Sequence, residues 1–261
     1  MSAKTFQFPC FLLGIGVILA TSAFGAPGGQ CGDVPTHSQL RAALEGVVDA
    51  GGNAGLAFQM WGTIVNRDGE VCAVAFTGND RGDQWPGSRV ISAQKANTAN
   101  AFSLAGLPLS TANLYSAVQP GGTLFGLQDS NPVDTKAAYG GNSSNYGQLN
   151  DPMKGEKIGG VNVFGGGLAL YTPAGVLIGA LGVSGDTSCT DHIIAWKLRH
   201  ALNLDNVPGG PDTDSNTDNI IYTDGTLDGF EHPECFDTEG QGDHVAIGND
   251  LPTTHPLGPE E

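Results

Sequence analysis

The stretch Gly159–Leu202, GGVNVFGGGLALYTPAGVLIGALGVSGDTSCTDHIIAWKLRHAL, decides how this chain folds. Val176–Val183 is apolar, rich in branched residues and interrupted by glycines, the composition of a strand pressed against a close neighbour. Thr172–Gly175 is a Pro/Gly turn, and two short apolar segments before it read as strands. After the third strand, Ser188 and Asp191 supply a cap residue with an acid three positions on, the opening of a helix. The pattern gathers a glycine-lined strand end, free backbone N–H groups, Asp191 and His192 at one spot, the first candidate for a site.

Upstream, Thr36 to Ala50 reads as a helix: Thr36 and Gln39 form a capping box, Leu40, Leu44 and Val47 share a face, and Gly51-Gly52 ends it. Leu56–Val65 and Glu70–Phe76 read as a hairpin turned by Asn66-Arg67-Asp68-Gly69. Helices follow at Ser88–Ser103, with Val90, Ala93 and Phe102 facing in, and at Ser110–Val118. Gln128 to Ile158 is a long Gly/Asn/Ser loop, of the length that often carries function or assembly. The order predicts one α+β domain with an antiparallel sheet of about five strands flanked by helices.

Three regions differ in character. Residues 1–25 read as a signal peptide: Lys4 is their only charge, Phe11–Ala20 is apolar but too short to span a bilayer, and Ala23-Phe24-Gly25 precedes the expected cut. Residues 26–204 form the domain, with 13 acidic and 10 basic residues. Residues 205–261 are an acidic C-terminal extension with 14 acids and no Lys or Arg. The expected product is secreted or periplasmic, with no membrane insertion and no affinity for nucleic acid. The extension reads as a solubilising, partly disordered tail.

Cys10 leaves with the signal, and Cys31, Cys72, Cys189 and Cys235 remain. Four cysteines in an exported chain point to two disulfides, with three pairings open. A buried thiol at Cys72 is the competing reading. No two cysteines stand at metal-ligand spacing.

Three segments in order, IVNRDGEVCAV, SRVISAQKANTANAFS and GGLALYTPAGVLIGALGVSGDTSCTDHIIAW, resemble the GlcG/HbpS-like family, the domain labelled DUF336. The resemblance covers residues 36–202 and implies a profilin-like fold, frequent homo-oligomers and, in several members, haem binding. The family motif carries a lysine where Lys95 stands. The long loop, the N-terminal cysteine arm and the acidic tail depart from the short family pattern.

His192, at the start of the last helix, is the candidate axial ligand for haem iron. Trp196 and His200 follow on the same helical face, where an aromatic between two histidines would line a flat cofactor or simply pack. Lys95 and Arg89 are scarce cations that would meet ligand carboxylates; their competing role is a salt bridge to Glu70, Asp80 or Asp83. Ser184 stands at the glycine-lined strand end, but Asp186 replaces the last glycine of a hydrolase elbow. Asp212-x-Asp214-x-Asn216-x-Asp218 has calcium-loop spacing without its glycine or its final Glu, and reads better as a solvated acidic turn. The leading expectation is an exported binding protein for a small molecule, with haem or a related tetrapyrrole as the ligand that the resemblance implies. The alternatives are an enzyme on a small reactive metabolite using Lys95, His192 and Asp191 for acid–base chemistry, and an assembly protein locked together by its arm and tail.

Overall fold

The computed structural model describes residues 29–223, 225–227 and 229–258. The expected signal peptide lies outside the described residues. The ordered elements are α1 (His37–Ala50), β1 (Trp61–Asn66), β2 (Val71–Phe76), α2 (Ser88–Phe102), α3 (Thr135–Tyr139), β3 (Gly167–Tyr171), β4 (Leu177–Ser184) and α4 (Ser188–Ala201). The tail adds β5 (Ile221–Tyr222), β6 (Glu231–His232) and α5 (His244–Thr254). The main sheet is antiparallel throughout, in the order β2-β1-β4-β3.

Period-two alternation splits the strands between two faces. Ile64, Ala73, Ala75, Leu168, Leu170 and Leu181 pack with Leu40 and Leu44 of α1 and Ile193, Ile194 and Trp196 of α4. On the other face Trp61, Val65, Val71, Val74 and Phe76 meet Val90, Ala93, Ala96 and Ala99 of α2. Helix α2 lies so close that a Cβ on Gly182 would stand 2.0 Å from the Ser92 carbonyl oxygen, so no side chain fits there. The same holds for Gly167, 2.5 Å from the Lys95 carbonyl oxygen, and Gly165, 2.3 Å from that of Ser188. The glycine run thus packs backbone against α2 and α4.

The sheet has four strands rather than about five. Gly159–Phe164 forms no strand. Gly159 and Gly160 take positive φ, and the polar side chains of α2 engage the backbone beyond them: Asn97 donates to the Gly160 carbonyl and Thr98 accepts the Asn162 N–H. β1 begins at Trp61 rather than Leu56, because the Leu56 and Phe58 N–H groups are turned onto the Asp186 carboxylate. The expected helix Ser110–Val118 shrinks to one 3-10 turn at Ser116–Val118, since Ser110 and Asn113 bond each other's backbone N–H. α1 carries the expected Thr36–Gln39 capping box. α4 is capped by Thr187, one residue before Ser188.

The disulfides are Cys31–Cys72, which ties the N-terminal arm to β2, and Cys189–Cys235, which ties the tail to α4. The tail is no loose extension. Asp218 is buried in a bidentate pair with Arg199 at 2.7 and 2.8 Å, and Asn219, Ile220, His232, His244 and Leu251 are buried as well. That pairing turns Asp218 away from any cation held by the Asp212–Asp218 turn. No described helix is long and apolar enough to cross a membrane.

Candidate functional site

The sequence-predicted residues divide into two places. The first is a sealed polar node where β4 runs into α4. The Lys95 ammonium donates to Asp191 Oδ2 at 2.6 Å and to the Val183 carbonyl at 3.1 Å, with the Phe164 ring 4.8 Å away. Asp191 Oδ1 accepts the Asp186 N–H at 3.0 Å. Burial pushes the Asp191 carboxyl up to about 6 despite the pull of Lys95, and burial lowers the Lys95 ammonium. Perturbed groups in contact are a signature of chemistry, yet they are equally a consequence of enclosure, and both side chains are essentially inaccessible here.

His192 stands beside this pair and is fully buried. Its Nε2 faces the Ile220 N–H at 3.1 Å and the Asn219 carboxamide oxygen at 3.3 Å, while Nδ1 is a buried nitrogen with no hydrogen-bond partner among the described residues. Burial lowers the imidazole to about 3, with Arg199 and His232 adding to the effect. Trp196 packs in the core and donates from Nε1 to the His255 carbonyl at 3.0 Å, so its indole N–H is spent on the tail. His200 pairs with Asp205 at 2.8 Å. Ser184 is buried at the end of β4, opposite Trp61 of β1.

Arg89 belongs elsewhere. Its guanidinium pairs bidentately with Asp151, donates to the Ala138 carbonyl at 2.9 Å and lies 3.7 Å above the Tyr146 ring. The partners expected for the two cations were Glu70, Asp80 or Asp83; the actual ones, Asp151 and Asp191, come from the long loop and from α4. Asp151 also accepts the Gly147 and Met153 N–H groups, so one carboxylate both folds the long loop and holds Arg89. Tyr146 donates to the Tyr139 carbonyl at 3.0 Å, which fixes the ring as a wall.

That wall borders an open cleft of about 430 Å³ at the N-terminal end of α2. Trp61, Arg81, Arg89, Val90, Tyr139 and Tyr146 are among its lining. Trp61 carries a buried indole N–H with no hydrogen-bond partner among the described residues. Volume, aromatic walls and a few charged groups are the attributes of a small-molecule site. A larger groove of about 690 Å³ in the tail presents Asp212, Asp214 and Glu234, a poor setting for an anion. A third cluster, Asp237, Asp243 and His244, has both imidazole nitrogens engaged, Nδ1 with Asp237 at 2.6 Å and Nε2 with the Cys235 N–H at 3.0 Å.

Sequence reading missed Asp151, Tyr146, Trp61, Arg199 and His232. The long loop's length marked it as a place to look, but nothing in the spacing linked Asp151 to Arg89. The cleft's aromatic lining and exposed Arg81 match a porphyrin's ring and a carboxylate, whereas His192 is fully buried and does not line the cleft. Among the residues lining the cleft there is no histidine, cysteine or methionine.

A family model described as "Haem degrading protein HbpS-like" matches residues 36–198. Among solved structures, the chain is 26% identical to the crystal structure of the PduOC:heme complex, over 64% of this chain and 91% of that one, with a TM-score of 0.45. It is 24% identical to Klebsiella pneumoniae protein ORFY, of family-model DUF336, over 63% of this chain and 86% of that one, with a TM-score of 0.43. It is 14% identical to HbpS, over 64% of this chain and 86% of that one, with a TM-score of 0.41. No curated protein matches the chain.

Proposed function

The chain belongs to the HbpS-like family, and on that premise we propose that it is an exported binding protein for a planar, anionic small molecule of the tetrapyrrole class, haem included. The observation that carries the reading is the Arg89–Tyr146 stack beside the open cleft, 3.7 Å from guanidinium carbon to ring centre. The buried, neutralised guanidinium backs the Tyr146 ring and holds it as a flat wall, which suits a ligand that is aromatic in the middle. Arg81, exposed at the rim next to Asp80, supplies the cation for a carboxylate at the ligand's edge. Tyr146, Tyr139 and Trp61 supply apolar faces for the ring. Export is supported by the leader pattern and by two disulfides, which persist in oxidising compartments.

What the chain's own residues do is bind and orient. Asp151 holds Arg89 in place before any ligand arrives, so little ordering is left to the binding event. Bound haem would bring its own redox chemistry, and no residue of the cleft is assigned a part in it.

The test is titration of the mature protein with haem and with iron-free protoporphyrin, followed by absorption and by tryptophan fluorescence. Saturable binding of both is expected, weakened about tenfold by Tyr146→Ala through loss of stacking. No binding of either compound overturns the proposal.

A further inference from the structure

The tail covers the start of α4 in a particular way. Ile220 donates its N–H to His192, and Asn219 brings its carboxamide oxygen within 3.3 Å of the same ring. His232 accepts the Gly165 N–H at 3.3 Å, on the glycine run beneath Lys95 and Asp191. Asn113 and Ser116 hold the outside of this cover through the Asn219 and Glu231 carbonyls. Its far end is bonded at Cys235 to Cys189, in the first turn of α4. What it encloses is a fully buried imidazole whose Nδ1 has no hydrogen-bond partner among the described residues. Enclosing a polar atom without a partner is unfavourable, so the cover closes over a group that its contacts leave unsatisfied.

The two disulfides stand in opposite surroundings. Cys31 Sγ lies 3.6 Å from the Glu70 carboxylate, which disfavours a thiolate. Cys235 Sγ accepts the Cys189 N–H at 3.2 Å and has Ser188 Oγ at 3.5 Å. Cys235 Sγ thus lies at a helix N-terminus, where the peptide dipoles favour negative charge and depress thiol pKa, while Cys189 Sγ is buried 3.7 Å from the Pro233 carbonyl oxygen. The carboxylate of Asp186 nearby is occupied by the Leu56, Phe58 and Thr187 N–H groups, and that of Asp191 by Lys95. Stabilising the reduced form makes a disulfide easier to reduce. Cys189 is buried and Cys235 is partly exposed, so attack from solvent reaches Cys235.

We propose that Cys189–Cys235 is a redox latch: its cleavage by a dithiol loosens residues 219–223 and 229–235 and opens the imidazole of His192 to solutes. One thiolate of the dithiol bonds to Cys235 Sγ, the Sγ–Sγ bond breaks, and Cys189 leaves as a thiolate that takes a proton from water. The second sulfur of the dithiol then displaces Cys235. The protein gains two electrons and two protons, and the dithiol is oxidised to its cyclic disulfide. The Arg199–Asp218 pair, just before the cover, keeps its base attached. The latch does not depend on which ligand the cleft takes.

The mature protein is equilibrated in dithiol buffers of graded potential, alkylated and mapped by mass spectrometry. Cys189 and Cys235 are expected to be reduced at a dithiol-to-disulfide ratio at least tenfold below that needed for Cys31 and Cys72, about 30 mV. In that window, modification of His192 by diethyl pyrocarbonate and hydrogen exchange at the Ile220 amide rise about thirtyfold, the lower range for losing a loop closure. The Leu181 amide of β4 stays protected. The double variant Cys189→Ser, Cys235→Ser gives the same pattern without reductant; if it does not fold, the wild-type titration decides by itself. The latch is overturned if both disulfides titrate together, if Cys31–Cys72 opens first, if His192 and Ile220 stay as protected as in the oxidised protein, or if Leu181 loses protection with them.

Discussion

Arg89 and Lys95 are cations of one helix, six residues apart, and they end in opposite settings. Each is buried, and each is paired with a carboxylate from a distant part of the chain. Arg89 has an open cleft beside it, because the long loop that delivers Asp151 also leaves Tyr146 and Tyr139 around a gap. Lys95 has no gap, because glycine backbone fills one side and α4 the other, and the tail closes the adjoining His192. A scarce cation on a helix therefore says little about ligands until the segments that cover it are known. Here one covering segment, the tail, lies outside the region the family model matches.

Removing the tail is the harshest test of this contrast. Truncation after Leu204 strips Arg199 of Asp218 and deletes Cys235. Leaving a buried guanidinium unpaired costs about 3–5 kcal/mol, and losing a native disulfide costs about 2–5 kcal/mol. Against a total stability of about 5–15 kcal/mol, the truncated chain is expected to lose cooperative unfolding in urea followed by circular dichroism. A truncated chain within about 1 kcal/mol of the full one, a margin ordinary for surface changes, would return the tail to the passive extension that its composition suggests.

Within the node, Lys95→Met leaves Asp191 buried without its partner and is expected to cost about 3–5 kcal/mol. The double variant Lys95→Met, Asp191→Leu removes both charges, and most of the loss should return. Failure of the second change to restore stability would mean that Asp191 is needed for its hydrogen bond to the Asp186 N–H rather than for charge. Urea midpoints of the three proteins measure both effects.

The frame was legible because its signals are local. The α1 capping box, the Asn66–Gly69 turn and the alternation in β1, β2 and β4 each lie within a few residues. The Lys95–Asp191 pair was not legible: Glu70, Asp80 and Asp83 were the expected partners, and only the acid–base alternative set Lys95 beside Asp191 and His192. What escaped was set by distant pairing. Asp151 reaches Arg89 across 62 residues, and Asp218 reaches Arg199 from a stretch whose spacing imitates a calcium loop. Acid-rich composition spoke for a loose tail, and it could not show that a few apolar and polar residues, Ile220, Asn219, His232 and Leu251, would be buried. The fifth strand is absent for a local reason: paired glycines at 159–160 take positive φ and end extended structure.

The node and the cleft also differ in their response to acid. Burial holds His192 near 3 and His232 near 4, well below an ordinary imidazole. Between those values and about 6.5 the unfolded chain binds protons that the folded chain refuses, so stability falls as pH drops. At pH 5 each imidazole removes about 2 kcal/mol. Asp191, raised to about 6, acts in the other direction and returns about 1 kcal/mol at pH 5. The net expectation is a loss of about 2–3 kcal/mol between pH 7.5 and pH 5, halved or more in His232→Asn. Stability that stays flat over this interval would mean that water already reaches both rings.

The smallest effect distinguishes the two places by ligand rather than by stability. Arg81 is exposed at the rim of the cleft, so a carboxylate bound to it stays in contact with water and gains little from the charge. An exposed pair is worth about 0.2–1 kcal/mol, and Arg81→Ala is therefore expected to weaken protoporphyrin binding by less than about fivefold, an effect reduced further by salt. The charge-free node of Lys95→Met, Asp191→Leu should bind protoporphyrin as the wild type does, because neither residue lines the cleft. Fluorescence quenching at low and high salt measures both variants. If Arg81→Ala binds as the wild type at low salt while the node variant weakens, the ligand is recognised behind the tail rather than beside Tyr146, and the roles assigned to the two cations of α2 are reversed.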